Sequence, residues 1–212
     1  KERLNAGIIT PALGLNDQIR AADFSGGIKA GTTALLAALE GVASKQINNI
    51  IVTSSDCRLG KPSSSQEMIF GDAASAFLVG NENVIAEFKG SFSTTYDFVD
   101  HYRGENNKFD RQWEDRWIRD LGFAQLIPEA INGFLEKYGM KMSDFSKVVY
   151  PCHYSAARKQ LNKKLEITPE MEQTHLQAEV GESGTPHALL MMVKALEDAR
   201  PGDKILLLSF GS

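Results

Sequence analysis

The stretch Ala30–Ala43 (AGTTALLAALEGVA) most constrains the fold, because its residues are small or apolar on almost every face. A helix of this composition is expected to be buried all round rather than to lie on a surface. The following run, residues 49–55 (NIIVTSS), is rich in β-branched residues and lacks the alternation of a half-exposed strand, so we expect it to be covered on both faces. The sequence therefore predicts an α/β protein with layered helices and sheets.

Composition excludes several classes of function. The 212 residues are 42% hydrophobic and 24% charged, as in an ordinary globular protein. A net charge of -4 argues against sequence-independent binding to nucleic acid. No apolar run approaches the roughly 20 residues that span a bilayer, and residues 1–5 lack the apolar segment of a signal peptide, so we expect no membrane association and a cytoplasmic location. The two cysteines, Cys57 and Cys152, match neither a metal-ligand spacing nor a disulfide framework, and we expect no metal site.

Helices and strands alternate along the rest of the chain. Apolar spacing predicts helices at 5–13, 124–138, 156–165 and 185–199, and strands at 19–24, 71–80, 84–88, 147–150 and 205–210.

Three regions follow from this order. Residues 91–123 are polar, aromatic and charged, which favours an insertion outside the core that serves as a lid or a subunit contact. Residues 1–90 and 124–212 share a design, since each has a buried helix directly before a strand, and an internal duplication is a natural interpretation. Both chain ends are abrupt, so we expect the sequence to be part of a longer chain.

Three segments carry a family resemblance. Residues 21–35 (AADFSGGIKAGTTAL) resemble the nucleophile turn of bacterial and archaeal hydroxymethylglutaryl-CoA synthases and of ketoacyl synthase III enzymes, in which a strand, a tight turn and a buried helix present a cysteine. Residues 70–80 (FGDAASAFLVG) are similar to the family's GDGAAA-type strand start, and residues 201–212 (PGDKILLLSFGS) to its C-terminal PGD turn and strand. Residues 93–103 also resemble a synthase segment. The chain thus resembles the thiolase superfamily over nearly its whole length.

This resemblance implies a fold and a set of ligands and partners. The fold would be part of the layered αβαβα thiolase-like architecture, assembled as a homo- or hetero-oligomer with a thiolase-fold subunit. A coenzyme A thioester would be the ligand, with no other cofactor, and a small OB-fold, zinc-ribbon protein is a candidate partner. The family begins well before Lys1, so the position of the synthases' catalytic glutamate lies outside this sequence.

The resemblance places Ile28 at the position of the nucleophilic cysteine. The family's chemistry needs a thiolate at the N-terminus of a buried helix, where the helix dipole lowers the thiol pKa and backbone N–H groups stabilise the oxyanion. Isoleucine has no lone pair, so it cannot attack a thioester. The backbone amides of Gly27, Ile28 and Lys29 could still form an oxyanion-binding nest. We expect the Lys29 side chain to be a solvated charge, with contact to a substrate phosphate as the alternative.

The two other catalytic positions also depart from the family pattern. Pro151 falls where the family keeps a histidine, and His153 lies two residues further on. Glu182 falls where the family keeps an asparagine, and His187 follows as a candidate acid or base near neutral pH. Cys152 and His153 are neighbours, which is a poor geometry for a nucleophile and its base because adjacent extended residues point to opposite sides.

Two hypotheses follow. In the first, the protein is an unusual acyl-CoA condensing enzyme or an aldolase or lyase, which uses His187, Glu182 or His153 as acid and base without an acyl-cysteine. In the second, it is a non-catalytic subunit that pairs with an active homologue and serves acyl-CoA carbon–carbon bond formation or cleavage. Because all three positions depart together, we favour the second.

Overall fold

The computed structural model describes residues 3–104 and 106–211. Its α-helices are α1 (Asn5–Ala12), α2 (Ala30–Ala43), α3 (Ser65–Ile69), α4 (Asp115–Trp117), α5 (Ile127–Tyr138), α6 (Ser155–Lys164), α7 (Gln177–Val180) and α8 (His187–Asp198). A π-helix at Ile118–Leu126 joins α4 to α5, and a 3-10 turn covers Met142–Asp144. The strands are β1 (Asn49–Asp56), β2 (Ala73–Gly80), β3 (His101–Tyr102), β4 (Arg111–Gln112), β5 (Lys147–Val149) and β6 (Ile205–Leu207).

The strands pair two by two. β1 and β2 are antiparallel along their full length, with Asn49 opposite Gly80 and Asp56 opposite Ala73. β5 and β6 are parallel, and β3 and β4 form a short antiparallel pair. Helix α2 packs on β1 and β2, while α8 packs on β5, β6 and β2. The prediction of a layered α/β architecture is confirmed.

Small residues allow α2 to approach the sheet closely. Ala38 and Val42 are buried and form a core cluster with Val52 of β1. At the start of the helix, a Cβ on Gly31 would lie only 2.5 Å from Ser54 Oγ and 3.0 Å from the Thr185 carbonyl oxygen. Only glycine permits this contact, which brings the N-terminus of α2 against the turn before α8.

The prediction that α2 and β1 are covered on every face is wrong for the part of the chain described here. In α2 only Gly31, Ala38 and Val42 are buried. In β1 the exposure alternates, with Val52 buried and Ile51 43% exposed. The buried side chains of β1 lie on the face that packs against α2, and those on the opposite face are exposed. Most of the remaining α2 residues are half-buried.

Two predicted strands are also wrong. Residues 19–24 and 84–88 have no strand conformation. A strand is stable only when a neighbouring strand satisfies its backbone groups, and no described residue pairs with either segment. Val84 and Ile85 are exposed as a result.

The larger core lies in the C-terminal half and includes part of the predicted insertion. Its buried side chains include Ile127 of α5, Val148 of β5 and Leu161 of α6. Ile118 and Phe123 of the π-helix belong to the same cluster, so the segment 91–123 does not lie wholly outside the core. Its role as a lid or subunit contact, and the domain boundaries, stay predictions. Among residues 3–104 and 106–211, no helix is long and apolar enough to cross a membrane.

Candidate functional site

A cavity of about 40 Å³ lies where the two halves of the chain meet. Four predicted site residues line it together: Ile28, His153, Glu182 and His187. The other lining residues are Asp100, His101, Ile118, Phe123, Pro151, Cys152, Tyr154, His175, Gln177 and Phe210. The sequence contains four histidines, and all four line this one space, although they come from separate segments.

Ile28 lies in the turn that precedes α2 and is half-buried. A Cβ placed on Gly211 would lie 3.0 Å from Ile28 Cβ and 3.4 Å from Asp100 Oδ2, so the end of the described chain passes close to both. The described lining residues include neither Gly27 nor Lys29, and the Lys29 side chain is exposed. The oxyanion nest at residues 27–29 therefore stays a prediction.

His187 is buried at the start of α8, and both of its ring nitrogens are engaged. Nδ1 lies 3.2 Å from the Ser183 backbone nitrogen, whose N–H it accepts, and 3.0 Å from Ser183 Oγ. Nε2 lies 2.8 Å from the carbonyl oxygen of His175, to which it donates. This pattern fits a neutral imidazole with one N–H, which holds the segments before α7 and α8 together.

Glu182 is bound by a buried arginine that the sequence analysis missed. Arg58 NH1 lies 2.6 Å from Glu182 Oε2, and Arg58 Nε lies 2.6 Å from Asp110 Oδ2. Glu182 Oε1 accepts a hydrogen bond from the Gly184 backbone N–H at 3.1 Å. Each carboxylate oxygen therefore already accepts one hydrogen bond. The only sequence signal was a charged residue three positions after a predicted strand.

His153 is the predicted acid–base candidate with the least committed side chain. No hydrogen bond to its ring is found among the residues that the structure describes; its contacts are the rings of Tyr154 and His101, with centroids at 3.9 and 6.4 Å. Burial lowers the pKa of His153 to about 4, with His101 and Arg58 acting in the same direction and Glu182 opposing them. The imidazole is therefore neutral at physiological pH.

The neighbouring thiol is not activated. Cys152 is 4% exposed, and burial raises its pKa to about 12. A thiol with this pKa carries almost no thiolate near neutral pH. Cys57 is exposed and lies outside the cavity lining. Both cysteines are free.

Two histidines that the sequence analysis did not assign complete the cavity wall. His101 Nδ1 lies 3.1 Å from Asp100 Oδ2, and the two residues are adjacent in the chain. His175 Nε2 lies 3.1 Å from Glu172 Oε1, and burial lowers the pKa of His175 to about 4. Each pair is local in the sequence, and tertiary packing brings the two histidines to the same cavity.

Aromatic rings restrict the space that remains. Phe123 lies between Tyr154 and Phe210, with ring centroids 5.9 and 5.4 Å away. A volume of about 40 Å³ has room for roughly three water molecules. Within the described part of the chain, no group of His, Cys, Asp or Glu residues is arranged to hold a metal ion.

Known proteins resemble this chain in sequence. No protein-family model matches it. It is 33% identical over 212 residues to the hydroxymethylglutaryl-CoA synthase of Pyrobaculum arsenaticum, covering 97% of this chain and 59% of that protein. It is 29% identical over 208 residues to the synthase of Methanopyrus kandleri, covering 98% of this chain and 59% of that protein. The chain thus spans less than two thirds of the length of these relatives.

Solved structures show the same fold. A crystal structure of HMG-CoA synthase complexed with CoA matches with a TM-score of 0.85 and 16% identity, covering 100% of this chain and 57% of that chain. A variant of OleA from Xanthomonas campestris matches with a TM-score of 0.83 and 18% identity, covering 100% and 67%. The chain therefore has a partial α/β thiolase-like fold. Its sequence resembles the hydroxymethylglutaryl-CoA synthases, as its motifs predicted.

Proposed function

We propose that this chain is a thiolase-like subunit that binds an acyl-CoA and serves acyl-CoA carbon–carbon bond formation or cleavage without forming an acyl-enzyme at residue 28. It pairs with a catalytically active thiolase-fold homologue, and a small OB-fold, zinc-ribbon protein is a candidate third component. The observation that carries the proposal is Ile28, which lines the cavity at the start of α2, where a nucleophile is expected.

The state of the neighbouring groups supports a non-catalytic subunit. Glu182 is paired with Arg58, and His187 donates and accepts hydrogen bonds within the protein, so both side chains are engaged in structural contacts. Cys152 is buried with its pKa raised, so it cannot replace the missing thiolate. None of these residues has the properties of an activated nucleophile or base.

The binding of an acyl-CoA is proposed from the resemblance. The relatives are synthases named for a CoA ester, and one structural neighbour is complexed with CoA. A thioester group offers a polar carbonyl, and the cavity offers a neutral imidazole beside aromatic walls. We expect the small cavity to admit the acyl end of such a ligand and the pantetheine arm to remain outside it.

Reconstitution tests this proposal. The purified chain, a cysteine-bearing homologue and a mixture of the two are each incubated with acetyl-CoA and acetoacetyl-CoA. Free CoA and new carbon–carbon products are measured in each sample. We expect products only in the mixture, and more of them than the homologue gives alone. Turnover by the chain alone would refute the non-catalytic role, and an unchanged rate in the mixture would refute the pairing.

His153 favours a second candidate function. Its ring lines the cavity without a hydrogen bond from the described residues, so it is placed to exchange a proton with a bound ligand. The chain would then be an aldolase, lyase or condensing enzyme that uses acid–base chemistry alone. A pKa of about 4 makes this imidazole a weak base near neutral pH, which is why we rank this function second.

Matched variants separate the two functions. If the chain alone cleaves or condenses acyl-CoA substrates, His153→Gln should abolish turnover, while His187→Ala should lower it through loss of the contacts before α8. If neither variant changes a measured activity, acid–base catalysis by this site is refuted.

A further inference from the structure

We propose that Arg58 is a positioning residue of this site: it clamps the Glu182 carboxylate at the cavity wall and partly offsets its negative charge at His153. The inference deepens the proposed function and rests on it only in taking the cavity as the ligand site. Its evidence is the geometry around one buried guanidinium.

Three contacts fix the Arg58 side chain, which follows β1 and is 3% exposed. NH1 and Nε each lie 2.6 Å from a carboxylate oxygen, of Glu182 and Asp110 respectively. The guanidinium carbon also lies 4.0 Å from the centroid of the Phe70 ring, a cation–π distance. Because arginine presents a planar fork of donors, it can hold two carboxylates at once where lysine would offer a single point charge.

Glu182 is held by its backbone as well as by its side chain. Its N–H donates to the Ile69 carbonyl at 2.7 Å, and its own carbonyl accepts from the Gly71 N–H at 3.1 Å. Gly184 donates to the remaining carboxylate oxygen. The carboxylate therefore cannot swing away from the cavity, and its charge is compensated chiefly by Arg58.

Both members of this pair influence the pKa of His153, Glu182 more strongly than Arg58. A nearby carboxylate stabilises an imidazolium, and a nearby guanidinium destabilises it. Other charged or titratable groups also face His153 or line the cavity. They are Asp100 directly before β3, His101 in β3, Asp115 in α4, His175, His187 in α8, and Cys152 and Tyr154 on either side of His153.

The clamp has a chemical consequence for ligand binding. A neutral imidazole offers one N–H donor and one acceptor, whereas an imidazolium offers only donors. With Arg58 in place, His153 keeps both properties at the cavity wall. Without Arg58, the bare Glu182 carboxylate would favour the imidazolium, so His153 would lose its acceptor at a higher pH than in the parent protein.

Histidine titration by NMR of the unliganded protein tests the clamp. We expect Arg58→Met to raise the pKa of His153, because a guanidinium that disfavours the imidazolium is removed. The double variant Arg58→Met with Glu182→Gln should bring this pKa back to the parent value or below it. Arg103 is a matched control, because it contacts the other oxygen of Asp110 at 3.4 Å and is 42% exposed; Arg103→Met should cause no shift.

A structural role alone would not produce this pattern. If Arg58→Met does not fold, Glu182→Gln alone decides the question, since removing the carboxylate while Arg58 remains should lower the pKa of His153. A His153 pKa that is unchanged or raised in Glu182→Gln, or unchanged in folded Arg58→Met, overturns the proposal. Because the titration needs no ligand, its failure is distinct from failure of CoA binding.

Discussion

Lowering the pH should destabilise this protein through two buried histidines. Burial lowers the pKa of His153 and of His175 to about 4, from an ordinary value near 6.5. As the pH falls from 6.5 towards 4, the unfolded chain takes up a proton at each position and the folded chain does not. The stability that comes from keeping these rings neutral is complete above pH 6.5 and is lost as the pH falls through this window.

The two pKa values of each histidine set the magnitude. Between pH 7 and pH 5, a histidine with a folded pKa of about 4 and an unfolded pKa of 6.5 lowers the free energy of unfolding by about 2 kcal/mol. For His153 and His175 together the loss is therefore on the order of 4 kcal/mol, a large part of the stability of a typical domain.

Urea denaturation at pH 8, 7 and 5 measures this effect. We expect little change between pH 8 and 7, which serves as the internal control, and a clear loss at pH 5. His153→Gln and His175→Gln should each reduce the loss between pH 7 and 5 by about 2 kcal/mol. If both variants lose as much stability as the parent, the histidines are not the cause and the reasoning is refuted.

Three further predictions follow from the site and its supporting turns. Ile28→Cys, placed at the N-terminus of α2, should gain an acyl group from acetyl-CoA in intact-mass spectrometry, and failure to acylate would argue against a nucleophile position at this residue. In thiol labelling of the folded protein, exposed Cys57 should react quickly and buried Cys152 only on unfolding. Equal labelling rates for the two thiols would contradict the burial of Cys152. Gly181→Ala should lower the free energy of unfolding by about 3 kcal/mol in urea denaturation, because φ is +69° and the new Cβ would lie 2.8 Å from a backbone nitrogen. Gly139→Ala, at φ +61° with open space around it, should lower it by about 1 kcal/mol. Similar losses in the two variants would contradict the steric explanation.

The fold was predictable where local pattern and packing agree. A turn followed by an apolar run predicted a strand at 205–210, and β6 covers 205–207. The helix predicted to begin at residue 185 begins at residue 187 as α8. The predicted strand at 19–24 failed because a strand depends on a partner elsewhere in the chain, and sequence pattern does not supply the partner. The exposed face of β1 was missed for the same reason.

Four residues singled out from the sequence line one cavity in the structure: Ile28, His153, Glu182 and His187. Whether their catalytic and binding roles hold stays a prediction.

The spacing of residues in the sequence could not show which polar atoms already have hydrogen-bond partners in the fold. The pairing of Glu182 with Arg58 joins residues 124 positions apart, and the hydrogen bond from His187 to the carbonyl of His175 depends on how the segment before α7 folds back. Such commitments follow from tertiary packing alone.

The proposed subunit would bind an acyl-CoA and would not become acylated. Equilibrium binding of acetyl-CoA, combined with intact-mass spectrometry of the same sample, tests this most directly. We expect saturable binding with an unchanged protein mass. An acyl adduct on the chain, or no binding at all, would contradict it.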